Sequence, residues 1–168
     1  EGDAPTSLSV FNSTIADNTI NGDDSRGGGV RFQSYGDPGA SVPPTGLFES
    51  TLIAGNVAAS GSAVQIEDSP DVAANHSLIQ GTIDINPDQG GAFTPDATTS
   101  LLMGQDPLLR PLAWNGGPTF TQALRCGGPA IDAGSNVTGL QWDQRGRGFP
   151  RKTGTAADIG AVEARCQH

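Results

Sequence analysis

A short apolar motif that recurs through the first half of the chain restricts it to a repetitive fold. Ser13-Thr14-Ile15-Ala16-Asp17-Asn18, Thr51-Leu52-Ile53-Ala54-Gly55-Asn56 and Ser77-Leu78-Ile79-Gln80-Gly81 align without gaps. The first two are followed by Gly29-Val30-Arg31-Phe32 and Ala63-Val64-Gln65-Ile66. Val30 with Phe32, and Val64 with Ile66, alternate as one face of a strand does. Each repeat therefore predicts two short strands separated by a polar turn. Units of this kind cannot bury an apolar face alone and do so by stacking on their neighbours. Pro or Gly interrupts nearly every window of helical length, so no amphipathic helix is expected.

The repeats are unevenly spaced, 38 residues from Ser13 to Thr51 and 26 from Thr51 to Ser77. The longer interval holds a Gly, Pro and Ser run from Gln33 to Thr45, which reads as a loop projecting from a corner, where a stacked fold absorbs changes of length. Asn18 and Asn56 recur at one turn. There an Asn side chain can bond its own backbone and adopt a left-handed conformation, and stacked copies would form a short Asn ladder. Residues 82–105 are expected to form a fourth, degenerate coil that turns at Gly90-Gly91.

The region from Asp106 to Glu163 is of another kind, rich in Gly and Pro yet threaded with apolar residues. In order it contains Asp106-Pro107-Leu108-Leu109, Asn115-Gly116-Gly117-Pro118-Thr119, Pro129-Ala130-Ile131-Asp132-Ala133-Gly134, Asp143-Gln144-Arg145-Gly146 and Asp158-Ile159-Gly160-Ala161-Val162-Glu163. This ordered series resembles the "choice-of-anchor Q" segment that closes many bacterial right-handed parallel β-helix surface proteins. Ile15 to Asn18 and Gly27 to Val30 are similar to the Phe-x-x-Asn and Gly-Gly-Ala-Ile repeats of polymorphic outer-membrane adhesins, with Ile15 in place of Phe. The resemblance implies an extracellular β-helix with a C-terminal closure, and no known reaction. An open last coil exposes strand edges and apolar core, which the segment would cover. Asp132, Asp143, Asp158 and Glu163, interleaved with Arg145, Arg147 and Arg151, are expected to pin its loops through bidentate Arg–carboxylate pairs.

Charge bears on partners. The net charge is −9, and it is unevenly placed: residues 1–105 carry thirteen acids against Arg26 and Arg31, while residues 106–168 carry five acids against seven bases. Nucleic acid is excluded as a partner, because phosphate binding needs Lys and Arg to displace counterions. No apolar stretch approaches the length of a membrane span. Cys126 and Cys166 are the only cysteines, and neither belongs to a Cys-x-x-Cys pair. They are expected to form a disulfide suited to an oxidising compartment, the alternative being two buried thiols.

Candidate chemistry is sparse. Two histidines, His76 and His168, are too few for a His-rich metal site. Ca²⁺ is the one cofactor considered, through Asp17, Asp23 and Asp24 at the first Gly-rich turn, although no loop of regular Ca²⁺-binding pattern is present. Paired acids serve hydrolases and Arg can act in lyases. On that reading the groups would be Glu49, Glu67 and Asp68, with Arg31 on a stacked coil.

The sequence thus predicts an all-β chain: a right-handed parallel β-helix (solenoid) of three to four coils over residues 1–105, continuous with an irregular, loop-rich capping segment over residues 106–168 in a single structural domain. The expected role is that of a secreted or cell-surface module, structural, adhesive or assembling. Its partner would be a surface receptor, a polysaccharide or copies of itself. The alternative is a polysaccharide lyase or hydrolase. The repeat is entered at Leu8 to Val10 with no capping helix before it, so either a longer native chain or another copy is expected to cover the first coil.

Overall fold

The computed structural model describes residues 7–22, 25–33, 45–59, 61–67, 70–86, 91–95 and 100–166. Among them there is no helix, and the eleven strands fall into three parallel sheets. The first sheet contains β1 (Ser7–Phe11), β4 (Thr45–Glu49), β7 (Asp71–Asn75) and β10 (Ala92–Pro95), in that order. The middle sheet contains β2 (Thr14–Ala16), β5 (Leu52–Ala54), β8 (Leu78–Ile79) and β11 (Leu102–Met103). The third contains β3 (Val30–Gln33), β6 (Ser62–Glu67) and β9 (Thr82–Ile85). The chain visits the three sheets in rotation.

The aligned sequence segments pair in the register their alignment predicts. Ile15 lies beside Ile53 and Ile53 beside Ile79, while Val30 pairs with Val64 and Phe32 with Ile66. Each repeat has three strands rather than the expected two, because the first sheet carries weaker apolar signals. Residues 82–105 are divided as well: β9 completes the third sheet, and β10 and β11 extend the other two. The Gly90 corner and the insert at 34–44 lie outside the described residues.

Alternation along the strands sends one set of side chains inward. Phe48, Ile53, Val64, Ile66, Val72, Ala74 and Ile79 form a core closed to solvent. Burying a residue of the Val, Ile or Phe type contributes about 1.5–3 kcal/mol. Phe32 meets Phe48 edge to face, with ring centroids 5.7 Å apart. Gly46 makes room for this, since a Cβ there would lie 2.6 Å from the Phe32 ring. The corners repeat too. Asn12, Ser50 and His76, each just after a first-sheet strand, all have positive φ, as do Asp17 and Gly55 after β2 and β5. Left-handed backbone at these positions turns the chain sharply from one sheet to the next.

From Gly104 to Cys166 the chain has no strand and is tied by isolated antiparallel bridges at Leu109 with Leu124, Ala113 with Thr121, Gly134 with Ala157, and Trp142 with Pro150. The expected cap over the last coil is instead a cover along the middle sheet. Leu52, Ala54 and Leu78 face outward from that sheet and form a second core with Leu124, Ala130 and Ile159. Backbone contacts reach several strands: Gly160 N–H donates to Ser50 O (2.9 Å) and Ala161 N–H to the Thr14 hydroxyl (3.0 Å). The reason is the outward face itself. In the third sheet the corresponding outward row is Arg31, Gln65 and Asp84, which is polar, whereas the middle sheet presents leucines that require a partner.

Candidate functional site

The densest set of ionisable groups lies inside the covering segment. Arg145 Nε donates to both carboxylate oxygens of Asp143 (3.2 and 3.1 Å), and its Nη2 bonds Asp143 Oδ2 (2.5 Å) and Glu163 O (2.6 Å). Arg151, only 1% exposed, donates through Nη1 to Glu163 Oε2 (3.2 Å) and through Nη2 to Asp158 O (2.9 Å) and Asn12 Oδ1 (2.9 Å). Main-chain donors complete the carboxylates. Glu163 accepts from Thr153 N (3.0 Å) and Asp158 N (3.1 Å), and Asp158 accepts from Asp132 N (2.8 Å) and Ala164 N (2.6 Å). Asp132, half-buried, accepts from Ala156 N (3.0 Å).

Burial pushes the carboxyls of Asp158 and Glu163 above the usual range, against the pull of their backbone donors and of Arg151. Burial likewise lowers the Arg151 pKa, opposed by Glu163, Asp158 and Asp143. No acid in this group faces a free partner, so the arrangement holds loops in place. Asp132, Asp143, Arg145, Asp158 and Glu163 are brought together here, and Arg147, exposed, stays outside the network. Arg145 and Arg165 also stack over the Phe149 ring, at 4.2 and 4.6 Å from its centroid.

Of the acids proposed for catalysis, Glu49 and Glu67 stand on different sheets with separate partners. Glu49 ends β4, is buried, and meets His76 Nδ1 at 3.1 Å. Glu67 ends β6 in a different sheet, and its carboxylate is paired with Arg31 and with Arg26 (2.8 Å). Hydrogen bonds from Arg31 first, then Arg26, hold the Glu67 carboxyl below the usual range. Such a group is neither a proton donor near neutrality nor a ready base. Asp68 lies outside the described residues.

Asp23 and Asp24 also lie outside the described residues, and the third Ca²⁺ candidate, Asp17, accepts from Gln122 Nε2 (2.5 Å). Among the described residues no group of three or more His, Cys, Asp or Glu side chains is placed to hold a metal ion. Asn18 and Asn56 are linked, with Asn18 Nδ2 donating to Asn56 Oδ1 (2.8 Å) and Asn56 Nδ2 to Ile15 O (2.8 Å). The bonds run between neighbouring strands rather than within one turn, and the left-handed residues are Asp17 and Gly55, one position earlier. A Cβ at Gly55 would run into the Asp17 carboxylate. Cys126 and Cys166 form a disulfide, with Cα atoms 5.5 Å apart.

The sequence named Arg151 only as one of three arginines expected to pin loops, and gave Asn12 no part in that network. Arg151 reads like its neighbours Arg147 and Lys152, and only folding buries it against a corner residue 139 positions away. No helix among the described residues is long and apolar enough to cross a membrane. Compared with known proteins, the chain matches no family model, no curated protein and no solved structure.

Proposed function

We propose that this chain is a secreted or cell-surface module built as a right-handed parallel β-helix of three to four coils, with a structural, adhesive or assembly role and no catalysis. The observation that carries the reading is the engagement of its candidate acids: Glu49 by His76, Glu67 by two arginines, and Asp143 and Glu163 by buried arginines. Three parallel sheets visited in rotation support the β-helix. The disulfide is compatible with an extracellular location, and the resemblance of the terminal segment to β-helix surface proteins favours the same setting.

A polysaccharide lyase or hydrolase acting through Glu49, Glu67, Asp68 and Arg31 is the weaker reading, since Glu49 and Glu67 belong to different sheets. Incubation with pectin, alginate and hyaluronan, followed by assays for new reducing ends and unsaturated products, separates the two. Sustained turnover would overturn the non-catalytic reading. Assembly has its own test. Val10, Ile15 and Val30 at one end of the inner core, and Ile85, Phe93 and Leu101 at the other, are only partly buried. Head-to-tail contact of these unlike ends is heterologous and would give a ring or filament. Light scattering should then show mass rising with concentration, and a strictly monomeric protein at high concentration would exclude assembly.

A further inference from the structure

A cleft of about 540 Å³ opens between the corner after β1 and the covering segment. Its rim is apolar and aromatic: Phe11 is 37% exposed, Leu140 48% exposed, and Trp142 half-buried. Between them lie Asn12, Thr14 and Gln144. The floor is the ionic network already described, since Arg151 and Asp143 line the cleft from below with their charges engaged. The network also fixes the rim. Asn12 is held between Arg151 Nη2 (2.9 Å) and the Thr138 hydroxyl (2.8 Å), and Trp142 sits on backbone pinned by Asp143 N to Phe149 O (2.9 Å) and Arg151 N to Gln141 O (3.1 Å).

From this geometry we infer that the cleft is a binding site for a neutral, hydroxyl-rich saccharide, with Trp142 and Phe11 as apolar platforms and Asn12, Thr14 and Gln144 as polar contacts. The size suits one or two sugar rings, because ligand clefts run from roughly 300 to 1,000 Å³. Rigid aromatic surface flanked by amides and hydroxyls matches a ligand whose ring faces are apolar and whose edges carry donors and acceptors. Among the described residues the Trp142 indole N–H and Gln144 Oε1 have no hydrogen-bond partner, which leaves a donor and an acceptor for ligand hydroxyls. Charge selects the neutral class. Asp143 is paired with Arg145 and the cleft's one guanidinium is engaged by Glu163 and Asn12, so no free cation is there to reward a uronate for its desolvation.

The inference rests on the non-catalytic reading and deepens it by naming the partner class. The test titrates the full chain with hexamers of cellulose, xylan, mannan and amylose, and with hexagalacturonate, by calorimetry and tryptophan fluorescence. At least one neutral hexamer should bind in the millimolar range or tighter and perturb the fluorescence, and hexagalacturonate should bind more weakly. Trp142→Ala and Gln144→Ala should each weaken binding, the former by about tenfold. Trp114→Ala should leave it unchanged, because Trp114 is 70% exposed and lies outside the cleft. Gln144 is exposed and its side chain bonds only the exposed Thr119 hydroxyl among the described residues, so its variant should fold and keeps the test decisive if Trp142→Ala unfolds. Silence across the neutral hexamers, preference for the uronate, or equal loss in Trp114→Ala would overturn the site. Release of shortened sugars during the titration would instead overturn the non-catalytic reading while leaving the site standing.

Discussion

Replacing Arg151 with Met tests how the covering segment is held. The guanidinium is 1% exposed and bonds Glu163, the Asp158 carbonyl and Asn12. Methionine preserves much of the stem but leaves a carboxylate in a closed interior, and breaking a buried pair in this way costs about 3–5 kcal/mol. Glu163 keeps the Thr153 and Asp158 N–H donors, which places the expected loss toward the lower end. At about 2–4 °C per kcal/mol for a chain of this size, Tm should fall by roughly 6–15 °C in calorimetry or near-UV circular dichroism. The deficit should shrink in acid, since without its cation the Glu163 carboxyl is raised further and takes up a proton more readily in the folded state. Adding Glu163→Gln removes the orphaned charge but keeps an acceptor for only one of the two N–H groups, since Thr153 N bonds Oε1 and Asp158 N bonds Oε2, so the double variant should regain part of the loss. An Arg151→Met protein within about 1 kcal/mol of the parent, or a double variant no more stable than the single, would refute the buried-pair account.

Other outcomes follow from the same contacts. Leu78→Ala, on the outward face of β8, should cost about 2–5 kcal/mol and speed amide exchange around Leu124 and Ile159, whereas a segment capping only the last coil would leave those amides unaffected. Peptide mapping without reduction should find Cys126 linked to Cys166, and replacing both with Ala should lower stability by up to about 4 kcal/mol for a loop of 40 residues. Glu67→Gln should matter most above the ordinary carboxylate range. The folded pKa is lowered, so the stability it contributes is present there and is lost as pH falls through the lowered value, and urea midpoints of the two proteins should converge in acid. Asp158→Asn should show the opposite sign. Its raised carboxyl contributes stability below the ordinary range that fades as pH rises through the raised value, so the variant should lose that decline.

The strands of the middle and third sheets were legible because their signal is local. Ile15, Ile53 and Ile79 repeat inside nearly identical motifs, and Val30 with Phe32 alternates as a half-buried strand must. The first sheet was not, since Gly46 interrupts β4 and the Val72-Ala73-Ala74 run in β7 is short and weakly apolar. The Arg and carboxylate inventory of the terminal segment could also be read as loop-pinning, but which arginine meets which acid could not; Arg145 pairs with Asp143 two residues away.

Alternation and repetition in the sequence therefore determined that the chain would pair its strands side by side, and which residues would stand at equivalent positions. Where the terminal segment goes was decided only in three dimensions. An outward leucine on β5 or β8 looks the same in the sequence as an inward isoleucine beside it, and the difference appears once neighbouring strands give the sheet two faces. The same holds for charge. Arg147 and Arg151 are alike as residues, but one meets water and the other a closed interior, and the cost of leaving a charge unpaired exists only in the second place.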